Sequence, residues 1–125
     1  KELNSNDIDI ALSQRIDCIN KVDKLFKDLD FLVMPSAQIF PFNKELDYPK
    51  EICGNSLDTY HRWMEVVILV SLLGLPSISV PIGFNSEGLP MGMQIIGKRG
   101  DDLKVVAFAK KYEEIFTFSK QGYKL

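Results

Sequence analysis

The residues able to do chemistry in this 125-residue chain are few and scattered. There is a single histidine, His61, two positions before Trp63. A general acid or base needs a group that orients it, and a lone histidine near a tryptophan on a helix more often packs or faces solvent than takes part in a reaction. Ser77 and Ser79 alternate with apolar residues in the run SISVP, and with no neighbouring base neither reads as an activated nucleophile. Asp47, Glu51 and Asp58 lie in or near one loop, where carboxylates can hold a polar substrate group but more commonly keep the loop solvated. The two cysteines, Cys18 and Cys53, show neither disulfide nor metal-site spacing and read as free thiols. On this basis no catalytic residue, metal ligand or cofactor is assigned.

The elements that would position these groups follow from periodicity. Asn4, Ser5, Asn6 and Asp7 can cap a first helix, whose stripe of Leu12, Ile16, Ile19, Val22 and Phe26 predicts burial as far as about Asp28. Leu29 to Met34 reads as a short buried strand stopped by Pro35. Residues 36–57 carry Pro41, Pro49 and Gly54 without a sustained period and read as a long loop. Ser56 or Asp58 can cap a third element that runs to Leu73. Trp63, Val66, Val67 and Val70 lie on its inner side, and past Glu65 it is apolar nearly all round, which predicts burial. Gly74 and Pro76 stop it.

The segment from Gly74 to Gly97 has little conformational freedom. Ile78, Val80 and Ile82 alternate with Ser77, Ser79 and Pro81, the pattern of a strand with one apolar face. Asn85, Ser86, Glu87 and Gly88 supply a turn, and Met91 to Ile96 follow as a strand apolar on both faces apart from Gln94. Gln94 reads as a buried amide bonded to backbone, and Gly92 and Gly97 as points of close approach or a bulge. A final helix from Asp101 or Asp102 places Val105, Phe108, Ala109, Tyr112 and Phe116 inward and Lys104, Lys110 and Lys111 outward. The fold class is α/β: a mixed β-sheet covered by helices, with the two linked strands antiparallel.

The spacing GLP, SISVP and GLPMGMQIIG closely resembles the C-terminal end of amidase signature enzymes. Phe26, Leu29, Asp30 and Phe31 to Ser36 resemble that family's strand of the form F...D.L..P, and Asp101 to Glu114 its final helix. The resemblance implies carboxamide hydrolysis by a serine, serine and lysine triad with an acyl-serine intermediate. The family's triad lies in its N-terminal and central parts, and this chain has no Gly-Ser-Ser segment on which to place it. It therefore implies a single C-terminal segment, residues 1–125, of an amidase domain whose N-terminal catalytic part is absent; the opening Lys1-Glu2-Leu3 agrees with that expectation. Trp63 and Met64 fall where family members turn side chains toward the acyl pocket, so they and His61 are the substrate-binding candidates, with core packing an open alternative. In the glutamine-hydrolysing members of the family, which serve tRNA-dependent amidotransferases, an aspartate on this helix grips the substrate's amino group. The matching position is Met64, next to Glu65, which favours a less polar amide.

Composition bounds the remaining choices. With 46% hydrophobic residues and a net charge of −2, the chain can bury a core but offers no basic footprint for nucleic acid. No apolar run approaches the roughly 20 residues of a membrane span and no signal-peptide pattern opens the chain, which points to the cytoplasm. The expected partners are a small-molecule amide in the full enzyme and, for the uncovered sheet, either the missing N-terminal part or a second copy. The fragment alone is expected to be inactive. The alternatives are a non-catalytic truncated or split interaction module, and the glutamine-hydrolysing component of an amidotransferase.

Overall fold

Asn4 starts the first helix, α1 (Ser5–Leu25), through a reciprocal cap: its Oδ1 accepts from the Asp7 amide at 2.9 Å, while Asp7 Oδ2 accepts from the Asn4 amide at 3.1 Å. Amide groups that a first turn leaves unpaired are thereby satisfied. The coordinates are a computed structural model, which describes residues 3–120. The helix stops at Leu25, short of Asp28, and its expected buried stripe is corrected: no residue of α1 is buried, and Leu12 and Ile16 are 52% and 56% exposed. Contact with the core is made at its end, by Val22 and the following Phe26. Helical periodicity marks a face that gains from burial without specifying what covers it.

After β1 (Phe31–Pro35), the expected loop of residues 36–57 contains a small hairpin, β2 (Glu51–Ile52) and β3 (Asn55–Ser56). Cys53 and Gly54 form its turn with φ of +49° and +79°, the left-handed pair that a two-residue hairpin requires. The third element is divided into a 3-10 turn, Tyr60–Met64, and α2 (Glu65–Leu73). Its expected all-round burial is also corrected. Val70 and Leu73 are buried, whereas Ile68, Leu69 and Leu72 are exposed, because the sheet covers only one side of the helix. Gly74 ends α2 at φ +63°, and the Leu75 amide closes the turn on the Val70 carbonyl at 3.2 Å.

Next come β4 (Ser77–Phe84), β5 (Pro90–Gly97) and α3 (Asp102–Phe116). The sheet order is β1-β5-β4, with Val33 opposite Ile95 and Val80 opposite Met93. Helices cover the sheet as expected, but both pairings among the described residues are antiparallel, so the mixed sheet foreseen from strand and helix alternation is not formed within them. Asn85 holds the β4–β5 turn: its Oδ1 accepts from the amides of Glu87 at 3.0 Å and Leu89 at 2.8 Å. A bulge between Pro81 and Gly83 interrupts β4 where Pro81 has no amide to donate.

Ile95 and Ile96 are adjacent on β5 and both 0% exposed. Neighbouring residues of a strand point to opposite faces, so full burial of both means that each face of the sheet is covered. On one face Ile96 packs with Phe26 and Val70; on the other Ile95 packs with Val80 and Ala109 of α3. Val105 of α3 also lies against Gly97, where a Cβ would strike Val105 Cγ2. Phe108 stacks on Phe31 at 4.5 Å, Tyr112 donates its hydroxyl to the Pro81 carbonyl at 3.3 Å, and Lys104, Lys110 and Lys111 face outward. Among the described residues, no helix is long and apolar enough to cross a membrane.

Candidate functional site

Pro35 ends β1 and sends the chain into Ile39-Phe40-Pro41-Phe42, an unusually apolar sequence for a loop. This loop, Trp63, the middle of β4 and the start of β5 enclose a cleft of about 450 Å³, open to solvent and lined by no charged side chain. Its floor depends on the absence of a side chain at Gly92. A Cβ there would collide with Ser36 Oγ and lie 3.1 Å from Ser79 Oγ, and the Ser36 amide donates to the Gly92 carbonyl at 2.9 Å. Both serine hydroxyls therefore converge on one point of an otherwise apolar pocket, and they also line a neighbouring cavity of about 470 Å³ with Ser71, Ser77 and Gln94.

The aromatic wall is braced by ring contacts. Trp63 meets Phe42 edge to face at 5.5 Å and Tyr60 at 6.0 Å, and Tyr60 in turn meets Tyr48 at 6.0 Å. Such arrangements favour positive ring edges against negative faces. Trp63 Nε1 is withdrawn from solvent and has no hydrogen-bond acceptor among the described residues. The indole surface that remains accessible is therefore carbon.

Behind the cleft, Gln94 joins its two walls. The side chain is buried, and Nε2 donates to the Pro35 and Val66 carbonyls, each at 2.9 Å. Pro35 precedes the apolar loop and Val66 follows Trp63 by one turn, so this amide fixes the distance between them. Gln38 Oε1 adds a second tie by accepting from the Val66 amide at 3.3 Å.

Charge is kept to the outside. Arg62 bonds Glu65 at 2.9 Å and Asp58 at 3.2 Å, and those hydrogen bonds, that to Glu65 foremost, raise its pKa and hold the guanidinium charged. The three groups are exposed and largely neutralise one another. Asp47, Glu51 and Asp58 do not line the cleft. Cys18 and Cys53 are free thiols, and no cluster of three or more metal-ligating side chains occurs among the described residues.

Of the three substrate-binding candidates, Trp63 lines the cleft; His61 is exposed against Tyr60 at 5.9 Å, and Met64 is half-buried outside the lining. Sequence reasoning missed Ser36, Phe40, Phe42 and Met91. The signal for the loop residues was present in the run Ile39 to Phe42, because four successive apolar residues or prolines in a loop need a reason to avoid water.

The family model described as Amidase matches residues 3–106. The chain belongs to the amidase signature family, a family of amide-cleaving hydrolases. It is 36% identical over 97 residues, 76% of its length, to the A component of the glutamyl-tRNA(Gln) amidotransferase of Thermodesulfovibrio yellowstonii, and 36% identical over 114 residues, 90% of its length, to that of Natranaerobius thermophilus. It spans only 18% and 21% of those two relatives. Among solved amidase signature structures, a bacterial aryl acylamidase superposes with a TM-score of 0.84 at 29% identity, over 95% of this chain and 25% of that one. The corresponding amidotransferase component of Thermotoga maritima gives 0.62 at 27% identity, over 78% and 20%.

Proposed function

We propose that this chain is the C-terminal part of an amidase signature hydrolase that cleaves a carboxamide C–N bond through an acyl-serine intermediate, yielding a carboxylate and ammonia or an amine. The observation that carries this reading is the superposition of nearly the whole chain on one quarter of a larger amidase fold. The serine nucleophile, the second serine and the lysine that activates them come from outside residues 1–125, and the chain alone is inactive. Its own contribution is sheet core and part of the wall of the substrate pocket. Trp63 supplies apolar surface, with His61 and Met64 as further substrate-side candidates, and Gln94 sets the width. The exposed residues Leu12, Ile16, Leu69 and Leu72, together with the outer edges of β1 and β4, suit coverage by the N-terminal remainder of the domain or by a second copy. The enzyme would act in the cytoplasm on a small-molecule amide, without nucleic acid or membrane as partner.

A chimera tests this. The matching quarter of the aryl acylamidase is replaced by this chain, and amide hydrolysis is followed with and without a serine-directed reagent. Reagent-sensitive turnover by the chimera, with none by the isolated chain, is expected. A folded but inactive chimera would leave the interaction-module reading in its place.

A second reading is favoured by the curated relatives, which are components of glutamyl-tRNA(Gln) amidotransferases. Against it stands Met64 at the position aligned with the ammonium-gripping aspartate, and the neighbouring carboxylate of Glu65 is already bonded to Arg62. In a glutamine-hydrolysing chimera, Met64→Asp would raise the KM for an aryl amide and lower that for glutamine if the first reading holds.

A further inference from the structure

We propose that the cleft between the Ile39–Phe42 loop and the β4–β5 hairpin takes the flat aromatic ring of an uncharged amide, so that this enzyme discriminates against amino-acid amides such as glutamine. The proposal deepens the preceding reading, on which it rests for the amide group, by naming what the amide carries.

Three observations support it. First, the cleft is lined by no charged residue, and the charged cluster that begins next to Trp63 in sequence, Arg62 with Asp58 and Glu65, is internally paired. An α-amino or α-carboxylate group placed there would lose water without gaining a partner. Second, Phe42 and Trp63 already pack edge to face, and Phe40 and Met91 extend the same surface, an arrangement that a further ring can join. With its Nε1 hidden, the indole offers the ligand only carbon. Third, Ser36 Oγ and Ser79 Oγ converge beside Gly92, and neither has a hydrogen-bond partner among the described residues. They can serve the carbonyl and N–H of one amide while its ring lies along the aromatic wall. The volume of about 450 Å³ lies within the range of small-ligand pockets.

Trp63 is the only tryptophan, so indole emission reports on this cleft. The chain is titrated with acetanilide, hexanamide and L-glutamine while Trp63 emission is read. Acetanilide should give a saturable change with a dissociation constant of about millimolar order, as expected for a ligand of this size. Hexanamide should bind more weakly, and L-glutamine about 100-fold more weakly or undetectably. Phe42→Ala should weaken acetanilide about fivefold, consistent with the loss of one aromatic pair. Phe40→Ala, at an exposed loop position, should act in the same direction if Phe42→Ala does not fold. A non-saturable response to acetanilide, or equal affinity for glutamine, overturns the proposal, and so does solvent-exposed emission that no ligand shifts. Because these readouts involve no turnover, a chain that selects acetanilide while the chimera stays inactive would sink the hydrolase reading alone, and an active chimera without selectivity would sink only this one.

Discussion

Replacing Gln94 with methionine removes both amide hydrogen bonds while nearly preserving volume, so the change in stability isolates the tie between the cleft walls. Each bond is 2.9 Å long and the side chain is 4% exposed, which excludes water as a ready substitute. A net contribution of about 1 kcal/mol per hydrogen bond gives about 2 kcal/mol of destabilisation, rising toward about 4 kcal/mol if the Pro35 and Val66 carbonyls are left without any donor. For a chain of this size about 2 kcal/mol lowers Tm by about 6–10 °C, and the urea midpoint falls by about 1 M for an m-value near 2 kcal/mol/M. Gln94→Glu supplies the sign. An introduced carboxyl, buried and facing two carbonyls, is held above the usual carboxylate range of about 4.3 because only its protonated form can donate. Its folded-state pKa is raised, so its contribution is fully present below the unfolded value and is lost as pH rises through the folded value. Urea melts at pH 4 and pH 7 should show the variant closer to the parent at pH 4. The reasoning is refuted if Gln94→Met stays within about 0.5 kcal/mol of the parent, or if Gln94→Glu is equally stable at both pH values.

Other positions allow similar tests. Gly97→Ala drives a methyl into Val105 and should cost about 1–3 kcal/mol in urea unfolding, with Val105→Ala in the same chain recovering part of the loss. Gly92→Ala pushes on Ser36 and Ser79 at the cleft floor and should abolish the acetanilide response of Trp63 emission while the circular dichroism spectrum is retained. Burial raises the pKa of Tyr112, so the stability it contributes is complete below the unfolded value of about 10 and declines as pH rises through the folded value. Tyr112→Phe should flatten that alkaline decline and, by losing the bond to Pro81, cost about 1 kcal/mol at neutral pH.

Where local chemistry dictated local structure, the sequence was informative. The Asn4 and Asp7 cap, the glycine stop at Gly74, the Asn85 turn and the doubly buried β5 all follow from residue types within a few positions of one another. Gln94 was readable as a buried amide with backbone partners, although which carbonyls it reaches depends on residues far away in the chain. Burial was the weaker inference. Leu12 and Ile16 have the pattern of a core stripe yet are left uncovered by the described residues, because periodicity reports a preference and coverage is a property of neighbouring elements. The cleft itself was largely illegible for a related reason. Its walls come from four separated segments, and the convergence of Ser36 and Ser79 over Gly92 exists only once β1, β4 and β5 are in register.

The strand order carries a consequence for biosynthesis. β5 lies between β1 and β4, so within this sheet β1 has no neighbour until β5 is made, Met93 pairing with Pro35 first and Gly97 with Phe31 last. On the ribosome α1 and β1 emerge well before the β4–β5 hairpin, and the Phe31 to Met34 ladder stays unpaired within this sheet for the whole interval. Waiting of this kind increases the exposure of nascent chains to aggregation. The chain's yield in a cell should therefore respond to chaperone supply and to slower elongation after β1, with neither altering the finished fold.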